Sequence, residues 1–255
     1  MLNFARRVTM DLSVQRATRG PICLFAVAIT AIGISTALSA SAYGNVISTG
    51  SVLQSATSAI AQQTSAHVVF VAHASSSSTT EKIVADVGLT GGVETLSEGK
   101  ADLAIRVTPS YAYVHGSSSG LTTLFGLTAA QAKKLGKSWE SWKQGTKQYS
   151  NLKADLTLSS VTALLPKAKG TTLSTEVTDG STLYVLTWKS AATSSIPKLS
   201  HTLTFSAMGA SLPIEETETS STGVKVETEL SRWDEDVNVL VPPVASTVAS
   251  SKITG

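Results

Sequence analysis

The chain has a single cysteine, Cys23, and only four histidines in 255 residues. One cysteine closes no disulfide within the chain and supplies no thiolate set for a structural zinc site. His67, His73, His115 and His201 show no H-x-x-x-H or comparable ligand spacing, so they read as exposed strand or loop residues and no metal is expected. Phosphate-binding loops are missing too: Gly88 to Gly92 reads GLTGG, without the lysine or the following helix, and no cofactor is implied. Aromatic residues make up 5% of the chain, whereas there are 37 serines and 33 threonines. Disordered chains share that polar bias but lack apolar periodicity, which here is strong. The Ser and Thr residues are therefore read as the wet faces of strands and as turns, where threonine suits the pleat.

Charge is scarce and nearly balanced, at 20 Lys+Arg against 18 Asp+Glu. Four of the basic residues, Arg6, Arg7, Arg16 and Arg19, precede an apolar run from Ile22 to Ile34, and the small-residue site Ala40-Ser41-Ala42 follows. This is the pattern of a secretory signal, which places a signal peptide at 1–42 with cleavage after Ala42. The second reading is an uncleaved anchor, because residues 21–42 approach the roughly 20 needed to span a bilayer. Without the first 42 residues, 16 basic residues stand against 17 acidic ones, leaving no electrostatic footprint for nucleic acid. Export to the cell envelope or the extracellular space is expected, with one domain over 43–243 and a loose tail at 244–255.

Periodicity supplies the elements. Leu53, Ala56 and Ile60 recur at helical spacing between Val46 and Gln63. Strand signals follow from His67, Glu81, Gly92 and Lys100, with turns at the Ser-rich stretch 75–80, at TGG and at EGK. In KADLAIRVTPSYAYVHG, Leu103, Ile105 and Val107 alternate with Asp102, Arg106 and Thr108, the mark of a strand with one dry face, and a bend is expected at Pro109 before Tyr111. Thr128 and Gln131 form a capping box for a helix that stops at Gly136. A second short helix is expected over Leu158 to Leu165, closed by Pro166. Strands then resume around an Asp179-Gly180 hairpin and run to Trp233. Strands in sequence with segregated helices argue for an α+β fold, a curved antiparallel sheet with helices on its concave face.

Catalytic motifs are sparse. Gly116 to Gly120 reads G-x-S-x-G around Ser118, with Asp179 and His201 following in the order of a hydrolase triad. A meander is the wrong scaffold for a nucleophile elbow, and in so Ser-rich a chain the match carries little information. A flexible loop is expected there, and a serine hydrolase using Ser118 is the last of three readings. Ser97 to Lys100 matches S-x-x-K without partner motifs, and the acidic run at Trp233 lacks the spacing of a calcium loop.

Several structural signposts stand in order along the chain. They are Tyr113, Val114 and Gly116, then Gly136, Lys137 and Trp139, Tyr149, Pro213 and Glu215, and finally Ser231, Trp233, Val239 and Pro242. In this the chain resembles the LolA-like lipoprotein-carrier fold, and within it the actinobacterial LppX/LprG-type lipid-binding envelope proteins. The resemblance implies a β half-barrel around helices, with an apolar cavity for lipid or lipoglycan acyl chains and transient contact with a membrane surface, and it implies no enzyme activity. One departure is that "SASA" stands where such proteins often carry a lipidated cysteine. Burying each methylene is worth about 0.8 kcal/mol, so a long acyl chain needs no charged partner. The strand positions expected to line the cavity are Val69, Val71, Leu103, Ile105, Val107, Leu203, Phe205, Val224 and Val226. At each of them ordinary core packing is the competing reading. For the whole chain the competitor is an envelope structural or signalling module whose interior is filled by its own side chains.

Overall fold

Ser48 starts the first described helix. Its hydroxyl accepts from the Ser51 backbone N–H while the Ser51 side chain accepts from the Ser48 N–H, a reciprocal cap that opens α1 (Thr49–Ala61). The computed structural model describes residues 47–73, 80–193 and 197–254. The expected signal segment and most of the Ser-rich turn at 75–80 lie outside the described residues, and among those residues no helix is long and apolar enough to cross a membrane.

After α1 the chain runs as a meander through β1 (Ser65–His73), β2 (Thr80–Gly88), β3 (Gly92–Glu98), β4 (Ala101–Val107) and β5 (Tyr111–Gly116). A π-helical turn (Gly120–Leu124) leads to α2 (Ala129–Leu135), capped by Thr128 and Gln131 and ended at Gly136 with φ +60°. Next come β6 (Trp139–Lys143), α3 (Lys147–Asp155) and α4 (Leu158–Thr162). The second meander comprises β7 (Thr172–Thr178), β8 (Ser181–Ser190), β9 (Leu199–Ser206), β10 (Pro213–Ser220) and β11 (Lys225–Ser231). The two meanders join side by side through antiparallel pairing of β1 with β11, giving one curved, unclosed sheet of 12 strands. The fold is α+β with helices packed on the buried face of that sheet, as the alternation and element order implied.

Five parts of this architecture depart from the sequence reading. The π-helical turn, β6 and α3 were not anticipated, because each is a short element with no sustained period of its own. The helix at Leu158 ends at Thr162, before the expected Leu165. The stretch expected to be loose instead carries β12 (Thr247–Ala249), parallel to β6, and α5 (Ser251–Thr254). Ile253 there is buried in the main core, which is what pins the terminus.

Glycine matters at two close approaches. A Cβ on Gly120 would lie 1.9 Å from the Asp102 carbonyl oxygen, and one on Gly91 would lie 2.1 Å from that of Val107. Only hydrogen fits in either place, so the π-helical turn lies directly on the backbone of β4.

Candidate functional site on the inner face of the sheet

Register across the sheet places buried side chains in rows. One row runs Leu103, Leu96, Ile83, Phe70, Thr228, Glu216, Leu203, Leu186, crossing both meanders. Ile105 and Val107 share this inner face, as do Phe205 and Val226, and all four are buried. Val224 stands just ahead of β11 and is half-buried against the main core.

Val69 and Val71 do not share it. Val68, Phe70 and Ala72 are the buried residues of β1, and side chains alternate along a strand, so Val69 and Val71 lie half-buried on the opposite face. There they pair with Val84 and Lys82 of β2. Both faces of β1 carry apolar side chains, and alternation alone had no means of choosing between them.

The helices divide the inner face into two apolar clusters. Val52, Leu53 and Ala56 of α1 cover Leu186, Leu203 and Phe205. Leu121, Ala132, Leu135, Tyr149, Leu152, Leu158 and Val161 cover the first meander. Burying a side chain of the size of Leu203 or Phe205 is worth about 1.5–3 kcal/mol, so each helix is held mainly by this face. A crevice remains beside α3, with Ile105, Phe125, Leu152 and Leu156 as its apolar lining and Gln148, Asn151 and Asp155 among its polar residues. Its volume is about 10 Å³, room for one water-sized sphere. A second hollow of about 360 Å³ lies at the end of the sheet, lined by Thr64, Ser65, Gly88 to Gly91 and the segment from Glu235 to Val239.

Carboxylates interrupt the apolar rows. Glu140 of β6 is 1% exposed, neither of its side-chain oxygens has a hydrogen-bond partner, and burial pushes its carboxyl up to about 7. At the other end of the sheet, His201 of β9 stands opposite Glu218 of β10, with Glu216 on the same face two residues along. The His201 Nδ1 lies 3.5 Å from Glu216 Oε1 and 3.4 Å from Glu218 Oε1, yet neither approach closes a hydrogen bond. Its Nε2 lies 3.1 Å from the Ser190 hydroxyl, and its ring stacks on Trp188 at 4.7 Å. Burial lowers the imidazole, but the two carboxylates outweigh it and raise it to about 9. Glu216 is pushed up to about 7 by burial, with Glu218 adding and His201 opposing.

Sequence reading treated all four histidines as exposed; His73 is exposed, whereas for His67 and His201 the reading is corrected. The side chain of His201 is 10% exposed and that of His67 15%. His67 meets Asp86 at 2.6 Å and also contacts Arg232. His201 shares the inner face with Leu203 and Phe205 by alternation along β9, and a register shift between Pro213 and Glu215 decides what it meets: the extra residue, Ile214, turns outward, and Glu216 and Glu218 rather than Glu215 and Thr217 face the interior. A period-two reading of LPIEETET has no way to see that shift.

The hydrolase constellation does not form. Ser118 is exposed beside the end of β5, Asp179 sits at the β7–β8 hairpin tip with φ 50°, and His201 is engaged on β9. Six strands separate β5 from β9 in the sheet.

No family model matches the chain, and no curated protein matches it. Among solved structures its fold is similar to that of lipoprotein LppX from Mycobacterium tuberculosis, with TM-score 0.45, 16% identity and coverage of 75% of this chain and 99% of that one. The fold resembles that of LppX. LprF from Mycobacterium bovis gives TM-score 0.46 at 15% identity, covering 76% of this chain and 96% of its own. A chain of the Pseudomonas aeruginosa MucA/MucB complex gives TM-score 0.33 at 15% identity, covering 77% of this chain and 58% of that one. These likenesses concern the fold alone.

Proposed function

We propose that this chain is an exported envelope protein that binds a lipid by its acyl chains, seated between the first meander and the helices that cover it. The observation that carries the reading is the crevice beside α3, where Ile105 of the inner face stands behind Phe125 and Leu152, with Gln148, Asn151 and Asp155 alongside. Apolar lining with a few polar groups is what an amphiphile requires. The cover is made of short helices: α2, α3 and α4 have 7, 9 and 5 residues. Helices below about 12–15 residues have little stability of their own, so an entering chain displaces packing rather than a self-supporting wall. Ile105 is the apolar strand residue that such a chain meets first, with Leu103 and Val107 to either side of it on the same face of β4.

The crevice volume of about 10 Å³ favours a second reading, a closed envelope module, since small-molecule sites are usually about 300–1,000 Å³. One experiment separates the two. Native mass spectrometry of the purified full chain, before and after organic extraction, is combined with titration of a fluorescent fatty acid. Carriage gives an extractable adduct and saturable uptake, and Asn151→Trp at the crevice reduces that uptake. A clean apo mass with no uptake establishes the closed module.

A further inference from the structure

We propose that His201, Glu216 and Glu218 form a binding site for a divalent transition-metal ion, Zn²⁺ fitting best, on the inner face of β9 and β10. Their ligand atoms all lie within 4.8 Å of one another. Tetrahedral zinc with bonds of about 2.0–2.2 Å holds its ligands about 3.3–3.6 Å apart. The two distances from His201 Nδ1, 3.5 and 3.4 Å, fall on that edge length, whereas a charge-assisted hydrogen bond would draw the same atoms to about 2.7–2.9 Å.

Orphaning of the imidazole is a separate observation. The His201 side chain is nine-tenths buried, and its Nδ1 points at two carboxylates without a hydrogen-bond partner. A buried polar atom left in that state is costly unless something occupies the space between. The other ring nitrogen already has the arrangement that metal-bound histidines use. Its Nε2 lies 3.1 Å from the Ser190 hydroxyl, a partner that can take the Nε2 proton and leave Nδ1 to a metal ion, and the Trp188 stack sets the plane of the ring.

Ligand chemistry selects the ion. One imidazole nitrogen with two carboxylates suits zinc and its neighbours, whereas calcium and magnesium take oxygen sets. Two carboxylates and an imidazole that gives up its proton when the metal binds bring charge −2, which a divalent ion neutralises in a buried place. Three protein ligands leave the fourth tetrahedral position to water. Glu218, with 15% of its side chain exposed, is the most accessible of the three and marks the entry side. The site belongs to the second meander and does not depend on the lipid reading, which concerns the first.

The test uses the full chain, stripped with EDTA, dialysed and titrated with ZnCl₂ by calorimetry, with Co²⁺ as a spectroscopic substitute. One equivalent of Zn²⁺ is expected, together with visible Co²⁺ bands typical of tetrahedral coordination. Glu218→Gln and His201→Gln should each weaken Zn²⁺ binding by at least about 100-fold, since even groups behind the ligands are worth 10–100-fold. Circular dichroism confirms that each variant is folded, and Glu218→Gln, at the more exposed ligand, supplies the answer if His201→Gln is not. Glu229→Gln, on an exposed position of β11, should bind as the parent does. Absence of saturable binding, or equal affinity in the parent and a folded ligand variant, overturns the proposal and leaves the cluster an ion pair only.

Discussion

The Tyr149 hydroxyl donates to the Pro109 carbonyl at 2.7 Å and lies 3.1 Å from that of Thr108, fastening α3 to the bend between β4 and β5. The bend foreseen at Pro109 is thereby the anchor of the helix that flanks the crevice. Tyr149→Phe keeps the buried ring and removes only the donor. A loss of about 1 kcal/mol is expected in urea unfolding. If the lipid reading is right, the same variant takes up fluorescent fatty acid faster than the parent, measured by stopped flow.

Glu140 makes stability depend on pH. Its folded carboxyl titrates near 7 against an ordinary value of 4.5, so the folded chain holds a proton that the unfolded chain releases. The contribution is full below about pH 4.5, declines as pH rises, and is lost through pH 7. Glu140→Gln removes this dependence. The variant should exceed the parent by about 3 kcal/mol at pH 8 and match it near pH 4, checked by denaturant melts at the two pH values.

Gly120 has a backbone carbonyl where a Cβ would go. Gly120→Ala must lift the π-helical turn from β4, and a loss of at least about 3 kcal/mol is expected in chemical denaturation. A change below 1 kcal/mol would show that the turn does not rest on β4 as described.

Ser118 is exposed and far from His201 in the sheet. Ser118→Ala should leave stability within about 0.5 kcal/mol of the parent. Labelling of the parent by a fluorophosphonate, lost in this variant, would be the contrary result.

The paired valines of β1 show why the lining of the inner face was only partly legible. Leu103, Ile105 and Val107 alternate with polar neighbours, and the amphipathic pattern assigned their face correctly. In Val68-Val69-Phe70-Val71-Ala72 every side chain is apolar, so the choice of face waited on pairing with β2 and β11. Likewise the capping box at Thr128 was plain because its two residues are three apart, whereas α3 depends on tertiary packing that no local period announces.

Sequence alone determined most strands, their turns and the α+β class, because alternation, caps and turn chemistry act between residues close along the chain. Tertiary structure decided which strands are neighbours, which face of β1 is inside, how little space remains beneath the helices, and that His201 meets Glu216 and Glu218. Those outcomes depend on register between distant segments, and the one-residue bulge at Ile214 was enough to turn two carboxylates from the surface to the interior.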